Sequence, residues 1–364
     1  MKRIRFAVVG SGWRALYYIR AAQRLSGIFE ICAVLCRSEE KAAYMAEKHH
    51  VPAVTSEEEL ISRNPEFVVV SVKKDAAADV VLKWMEKGFA VLAETPCALD
   101  RETVLRLREA QEKGGRLVIA EQYLRYPQMA AVSSLVRSGI IGEPSYLYLS
   151  SAHEYHAFSL MRGLLGIPCS MPFGVKAQTF EYPSVLTNSR YEEFRDGRTA
   201  VMSRTAAVFR FENGRTCLYD FDSDQYRSAI RSSHFRLQGE RGEISDDEVR
   251  WLDEDNVPHY GRIHTEYRTV LYDDENPNLR QCREVTEISF RDRILYTPES
   301  GPAGLPEDET AVASLLKGMH EYASGGESPY PLNEALADAY AAILLREAAE
   351  SGREAASESE YLKK

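Results

Sequence analysis

The sequence predicts an α/β protein of two domains, a doubly wound parallel sheet over residues 1–122 and an α+β domain with an open, mostly antiparallel sheet over 123–350. Apolar runs alternate with amphipathic stretches as far as residue 122, as in a parallel sheet covered by helices. Beyond residue 127, long alternating polar and apolar runs indicate an antiparallel sheet with one covered face. A chain of 364 residues accommodates both domains. Residues 351–364 are charged and small and are expected to fray.

The elements of the first domain follow from the spacing of apolar residues. β-rich apolar runs predict strands at 4–9, 31–36, 67–72, 90–94 and 116–120. Amphipathic stretches between them predict helices that include 39–48, 76–87 and 101–113. In a sheet of this kind, ligands bind beyond the carboxyl ends of the strands.

The elements of the second domain follow from period-two alternation. A helix over 128–137 ends at Gly139. Strands are predicted at 145–150, 200–211, 215–221, 234–238, 243–251, 266–272 and 284–288. The helical period returns over 308–324 and 333–350, and segments 273–278 and 298–306 are predicted to be turn-rich loops.

Composition narrows the classes of partner and compartment. The net charge of −10 and the absence of a basic cluster argue against a nucleic-acid partner. Six scattered cysteines without C-x-x-C spacing predict reduced thiols and no metal site. No run of about 18 apolar residues or signal-peptide pattern occurs, so we expect a cytoplasmic protein without a membrane partner.

A glycine-rich turn opens the chain. The apolar run that begins at Phe6 ends in Gly10-Ser11-Gly12-Trp13-Arg14-Ala15, a G-x-G-x-x-A pattern. In a strand–turn–helix context, the first glycine permits a tight turn and the second lets backbone approach a pyrophosphate. The small third residue lets the helix pack on the strand, and the helix N-terminus faces the phosphate charge. The pattern predicts a dinucleotide site formed by residues 10–14.

The end of the second strand indicates which dinucleotide is bound. A dinucleotide fold that binds NAD places an acidic residue there, next to the adenosine ribose. Here that place is held by Cys36, followed by Arg37 and Ser38. An arginine and a hydroxyl suit a 2′-phosphate, so we expect NADP(H) to be favoured over NAD(H). Ser71 and Gln122, which follow the third and fifth strands, are expected to border the cofactor.

Further motifs follow in order along the chain: Glu94-Thr95-Pro96, Tyr123-x-Arg125-Tyr126-Pro127, a segment from His156 to Gly166 and a G-x-x-G turn at 239–242. With the glycine-rich turn, the order and sequence of these motifs resemble those of the Gfo/Idh/MocA family of NAD(P)-dependent oxidoreductases. The corresponding motifs of that family are E-K-P, N-x-R-F-x-P, H-x-x-D-x-x-R-x-L-x-G and G-x-x-G. The resemblance implies a Rossmann domain, a second domain whose sheet mediates a homodimer or homotetramer, and a sugar, inositol or polyol substrate.

The resemblance also implies roles for individual residues. Glu94 occupies the family's place for an acid near the nicotinamide ribose, and Thr95 is expected near the nicotinamide. His156 is expected to take the hydroxyl proton, with His153 or Tyr155 as replacement groups for the missing lysine. By the same resemblance the predicted substrate-binding residues are Tyr123 and Arg125, where Arg125 either meets substrate or braces the domains.

The chain departs from the family at catalytic positions. The E-K-P lysine is replaced by Thr95, which is shorter and carries no charge. Ala152 and Ser159 stand where the family has aspartates. Two interpretations follow: a dehydrogenase with a rearranged site, or a nucleotide-binding sensor or non-redox sugar-processing enzyme on the same fold.

Overall fold

The computed structural model describes residues 2–271 and 281–363, and it divides into two compact units. The first unit comprises 1–126 and 299–339, and the second comprises 127–298 and 340–364. The sequence placed 123–350 together in a second domain, whereas segment 299–339 packs with the first. A helical period shows that a helix has an apolar face, but not which sheet that face covers.

The first unit begins with alternating strands and helices. In chain order they are β1 (Ile4–Val9), α1 (Ala15–Arg24), β2 (Phe29–Leu35), α2 (Glu39–His49), β3 (Ala53–Val54), α3 (Glu57–Ser62), β4 (Phe67–Val70), α4 (Lys74–Glu86), β5 (Ala90–Ala93), α5 (Arg101–Glu112) and β6 (Arg116–Ile119). All strand pairs are parallel, in the order β3-β2-β1-β4-β5-β6. The predicted doubly wound sheet is therefore confirmed, and the short elements β3 and α3 are added to it.

The second unit begins with a helix and continues mainly as strands. Its elements as far as residue 296 are α6 (Pro127–Arg137), β7 (Pro144–Ser150), α7 (Glu154–Leu165), β8 (Phe173–Val185), β9 (Thr199–Phe211), β10 (Thr216–Asp222), β11 (His234–Gly239), β12 (Gly242–Ser245), β13 (Glu248–Leu252), β14 (Pro258–Leu271), β15 (Gln281–Phe290) and β16 (Arg293–Tyr296). The remaining elements of the chain are α8 (Glu307–Ala323), α9 (Leu332–Ser351) and β17 (Ala355–Ala356).

The sheet of the second unit runs in the order β16-β15-β14-β13-β12-β11-β7-β10-β9-β8-β17. Its strand pairs are antiparallel except for β7 and β10, which are parallel. The mostly antiparallel sheet is confirmed, and so is the turn at Gly239 and Gly242, which join β11 to β12. Phe158 of α7 packs against Phe173 of β8 and Phe209 of β9.

Two local predictions in the second unit are corrected. Segment 243–251, predicted as one strand, is two strands separated by a turn at Asp246, whose φ is 52°. Aspartate tolerates this left-handed region, and its side chain accepts from the Phe235 N–H at 2.9 Å. The tail was expected to fray, but its strand β17 pairs with β8. Tyr361 of the tail is buried and stacks on Tyr340, with ring centroids 4.5 Å apart. The loop predicted over 273–278 lies outside the described residues.

The core of the first unit joins the sheet to helices from both ends of the chain. Phe6 of β1 stacks on Phe67 of β4, with ring centroids 5.6 Å apart. Tyr18 and Ile19 of α1 share this core with apolar residues of α8, namely Val312, Leu315, Leu316 and Met319. Within the described part of the chain, no helix is long and apolar enough to cross a membrane.

Candidate functional site

The glycine-rich turn has the geometry that its sequence predicts. Gly10 has a φ of 113°, and a Cβ there would lie 2.1 Å from the Ser71 carbonyl oxygen. Only glycine fits, since the turn passes directly beside the end of β4. A Cβ added at Gly12 would meet nothing within 4 Å. The second glycine therefore faces open space at the start of α1.

Two backbone donors lie in the turn beside that space. Among the described residues, the N–H groups of Ser11 and Gly12 have no protein acceptor. They precede α1, whose N-terminus carries partial positive charge. Ala15 is fully buried, so α1 packs closely on the sheet, and Trp13 is 42% exposed with its ring edge against Tyr17. An open cradle lined by free N–H groups at a helix N-terminus fits a pyrophosphate.

The side chain of Arg14 is held by the protein itself. Its Nε donates to Glu94 Oε1 at 2.7 Å, and its Nη1 donates to the Asp308 carboxylate at 2.9 and 3.0 Å. With the Gln122 amide nitrogen donating to the Ala120 carbonyl at 2.6 Å, the amide oxygen of Gln122 accepts from Arg14 Nη2 at 3.1 Å. The Arg14 guanidinium therefore belongs to this ion-pair cluster, while its backbone lies in the glycine-rich turn, and a dinucleotide site at residues 10–14 stays a prediction.

The electrostatics of the cluster favour a permanent charge on Arg14. Burial lowers the pKa of Arg14, but Glu94 and Asp308 outweigh this effect and raise it well above its usual value. Tyr18 donates its hydroxyl to Glu94 at 2.6 Å, and burial together with this carboxylate raises the pKa of Tyr18 well above its usual value. The Thr95 N–H donates to the other Glu94 oxygen at 3.2 Å. Glu94 is thus held in one orientation by three donors.

At the end of β2, one buried residue is followed by two exposed residues. The Cys36 side chain lies in the core of the first unit, where burial raises the pKa of its thiol. Ser38 caps α2 by accepting from the Lys41 N–H at 3.2 Å. Arg37 is exposed, and its side chain has no protein partner among the described residues. Of these three predicted residues, Arg37 is the one with a charged group available to a ligand.

Two further predicted residues contribute to the fold of the first unit. Arg125 donates to Ser314 Oγ at 2.8 Å and to the Pro329 carbonyl at 2.7 Å, and burial lowers its pKa. Arg125 therefore braces segment 299–339. These hydrogen bonds account for the position of its guanidinium without a contact to substrate. Tyr123 stacks on Tyr126 at 4.7 Å. Substrate binding by Tyr123 stays a prediction.

The predicted histidines of the second unit form an aromatic cluster at the start of α7. The ring of His153 lies 5.0 Å from both Tyr155 and His156. His156, the residue expected to take the hydroxyl proton, is buried, with 5% of its surface exposed. Burial and the nearby His156 lower the pKa of His153 to about 3, which keeps this imidazole neutral at physiological pH.

The backbone is strained within this cluster. Glu154, between His153 and Tyr155, has a φ of 40°, a left-handed value that costs about 1–3 kcal/mol for a residue with a side chain. Its N–H donates to the Tyr219 hydroxyl at 3.2 Å, and its carboxylate accepts from Arg346 Nη1 at 2.6 Å. Strained backbone of this kind concentrates at functional sites. The strain marks the start of α7 as a candidate site.

Three residues of these clusters were not predicted from the sequence. Tyr18 and Asp308 complete the cluster around Arg14, and the Tyr226 hydroxyl contacts His153 Nδ1 at 2.8 Å. Tyr18 lies on the helix that the glycine-rich turn opens, so its proximity could have been inferred. Asp308 and Tyr226 lie 294 and 73 residues from their partners, and no local pattern connects them.

We predict that Arg14→Met lowers the free energy of unfolding by about 2 kcal/mol, because it leaves two partly buried carboxylates without their cation. Urea denaturation followed by circular dichroism measures the loss. Arg37→Met, an exposed arginine of the same unit, is the control and should change stability by less than about 0.5 kcal/mol. Equal losses for the two variants would show that the cluster does not stabilise the fold.

Comparison with known proteins finds similarity over part of the chain. Residues 4–122 match the family model of GFO_IDH_MocA, described as an oxidoreductase family with an NAD-binding Rossmann fold. An inositol 2-dehydrogenase of Pseudarthrobacter chlorophenolicus is 30% identical over 147 residues, which is 38% of this chain and 43% of that protein. An inositol 2-dehydrogenase/D-chiro-inositol 3-dehydrogenase of Lactiplantibacillus plantarum is 22% identical over 142 residues, 38% of this chain and 41% of that protein. The chain thus spans less than half the length of these curated relatives.

Solved structures extend the likeness of fold over the chain. An oxidoreductase from Agrobacterium radiobacter, in complex with NAD+, L-tartaric acid and magnesium, matches with a TM-score of 0.65 at 14% identity, covering 97% of this chain and 98% of that one. A putative myo-inositol dehydrogenase from Sinorhizobium meliloti matches with a TM-score of 0.64 at 16% identity, covering 97% and 99%. Over residues 4–122 the chain is therefore similar to the Gfo/Idh/MocA family of oxidoreductases with an NAD-binding Rossmann fold.

Proposed function

We propose that this protein is an NAD(P)(H)-dependent oxidoreductase that moves hydride to or from a carbinol or carbonyl carbon of a sugar, inositol or related polyol. The observation that carries the proposal is the open cradle at Gly12, with the free N–H groups of Ser11 and Gly12 beside the N-terminus of α1. A bound nicotinamide supplies or accepts the hydride. The chain's own residues bind and orient the reactants and move the hydroxyl proton.

The substrate class is supported by the relatives. The curated proteins that match the chain over 142 and 147 residues are named inositol dehydrogenases. Their substrates carry CH–OH groups, which need a proton acceptor when hydride leaves the carbon. We propose that the stretch His153–His156 handles this proton, since Thr95 offers no group that titrates near neutrality.

A preference for NADP(H) is supported by the end of β2. Arg37 is exposed without a protein partner among the described residues, and no carboxylate at 36–38 occupies the place that binds a ribose 2′-hydroxyl. A guanidinium there would make charge-assisted hydrogen bonds to a 2′-phosphate. Exposed apolar side chains on β8 and β9, such as Phe180 and Val201, support our expectation of a homo-oligomer formed through the second unit.

The proposed function is tested first by cofactor binding and then by turnover. Purified protein is examined for retained cofactor by mass spectrometry and titrated calorimetrically with NADP(H) and NAD(H). Sugars and inositols are then screened for reduction of the bound cofactor. Binding followed by turnover supports the proposal. If the wild type binds cofactor without turnover and Thr95→Lys creates turnover, a nucleotide sensor or non-redox enzyme is favoured. If neither cofactor binds, the proposal is overturned.

We predict that Gly12→Ala weakens binding of both dinucleotides about tenfold or more, because its Cβ fills the open cradle where the pyrophosphate would lie. The fold should keep its stability, since that Cβ meets no protein atom within 4 Å. Gly10→Ala is the contrasting variant: its Cβ would overlap the Ser71 carbonyl, so it should lose stability by several kcal/mol. Calorimetric titration and urea denaturation of both variants separate these effects, and unchanged affinity in Gly12→Ala would contradict the proposed site.

We predict that Arg37→Ala weakens NADP(H) binding about 10- to 100-fold, the size of a lost charge-assisted hydrogen bond, and leaves NAD(H) affinity unchanged. Competition titrations with the two cofactors measure the ratio directly. Lys113→Ala, which removes an exposed cation elsewhere in the first unit, controls for net charge. A parallel loss of affinity for both cofactors would remove Arg37 from the 2′-phosphate site.

A further inference from the structure

A continuous set of hydrogen bonds joins two tyrosine hydroxyls through one imidazole in the second unit. His153 Nε2 lies 3.1 Å from the Tyr155 hydroxyl, and its Nδ1 lies 2.8 Å from the Tyr226 hydroxyl. The His153 backbone N–H also donates to Tyr226 at 2.9 Å. Both ring nitrogens are therefore used, and a proton can cross the imidazole by entering at one nitrogen and leaving at the other.

We propose that Tyr155, His153 and Tyr226 form a proton relay, in which Tyr155 is the catalytic residue that exchanges a proton with the substrate oxygen and Tyr226 exchanges it with water. This inference rests on the proposed oxidoreductase function and names the groups that replace the missing lysine. The ends are assigned from exposure and position. Tyr226 is 43% exposed, whereas Tyr155 is partly buried and neighbours His156 on α7.

The environment of His153 suits transfer without a stable cation. Its ring is enclosed by Tyr155, His156, Phe221 and Tyr226, with centroids 5.0 to 5.8 Å away. An imidazole so enclosed is costly to protonate, as its lowered pKa of about 3 reflects. A proton that arrives at one ring nitrogen is therefore balanced by one that leaves the other.

The loop that carries Tyr226 is fixed at its base. The buried Gln225 donates to the carbonyls of Ser150 and Ser232 at 2.6 and 3.0 Å and accepts from the Asp222 N–H at 3.2 Å. The buried Asp222 also accepts from Arg231 Nε at 3.2 Å. These bonds attach the loop to the end of β7, next to His153. Tyr226 is thereby positioned independently of any ligand.

The other end of the relay is fixed by the strained residue. Glu154 is held at its left-handed φ by Tyr219 and Arg346, and this conformation turns the chain from His153 into α7. Because Tyr155 follows immediately, the strain sets where its hydroxyl meets His153. Strained backbone of this kind concentrates at functional sites, which is consistent with a role for this geometry in proton transfer.

Each transfer in the relay is balanced. In the oxidation direction the substrate O–H bond breaks and its proton passes to Tyr155 Oη, while the Tyr155 proton passes to His153 Nε2. The Nδ1 proton passes to Tyr226 Oη, and the Tyr226 proton passes to water. A bound oxidised nicotinamide would accept the hydride that leaves the substrate carbon, which would become a carbonyl carbon. Reduction runs the same transfers in reverse, and exchange with water at both ends restores the starting tautomer.

The test uses the full-length protein with the polyol on which it turns over, in ordinary and heavy water. Tyr155→Phe should lower kcat about 100-fold or more, the size of a lost general acid–base group. Tyr226→Phe should lower kcat about tenfold with KM unchanged, raise the solvent isotope effect, and recover when imidazole is added to the buffer. Tyr148→Phe is the matched control, because it loses a hydroxyl bond to Asp220 in the same unit outside the relay.

A second measurement does not depend on turnover or on substitution. NMR of the protein with isotope-labelled histidine should show His153 as a neutral imidazole, hydrogen-bonded at both nitrogens, from about pH 5 to 8. A protonated His153 in that range overturns the relay. Normal kcat and isotope effect in Tyr226→Phe, with an active wild type, overturn the relay but leave the proposed function. A wild type that binds no dinucleotide overturns both.

Discussion

The charge of Arg14 is the interaction on which the arrangement of the first unit depends. Four segments that are distant in sequence meet at this guanidinium: the turn before α1, the ends of β5 and β6, and the start of α8. A buried cation must be fully paired, since the cost of removing it from water exceeds what one contact returns. The need to pair Arg14 therefore fixes where Glu94, Gln122 and Asp308 lie, and with them the edge of the sheet that carries the glycine-rich turn.

The sequence predicted those parts of the fold that local pattern determines. β4, Phe67-Val68-Val69-Val70, is buried on both faces and reads as a continuous apolar run, so its place in a parallel sheet follows directly. Gly10 and Gly12 likewise carry their geometry in their spacing. The role of the Arg14 side chain could not be predicted in this way, because Asp308 lies 294 residues away and no local pattern connects the two residues.

In the candidate site of the second unit, the residues that are adjacent in sequence were predicted, and the residue that is distant in sequence was not. His153, Tyr155 and His156 are adjacent in sequence and attract attention as a cluster, whereas Tyr226 joins them only because β7 and β10 pair in parallel and bring the following turn to the start of α7. That parallel pair interrupts an otherwise antiparallel sheet. Alternation of polar and apolar residues does not distinguish a parallel strand pair from an antiparallel one. The left-handed Glu154 has no sequence signal either, since glutamate is an unusual residue for that conformation.

The return of the chain to the first unit at residue 299 has a consequence for how this protein can be divided. Residues 1–126 contain the whole parallel sheet, yet they lack the α8 residues that complete its core and the carboxylate that pairs with Arg14. The first unit therefore cannot be exchanged between proteins as one continuous segment of the gene. Recombination between relatives would have to exchange two separate segments together, which ties the evolution of the beginning of the chain to that of its last quarter.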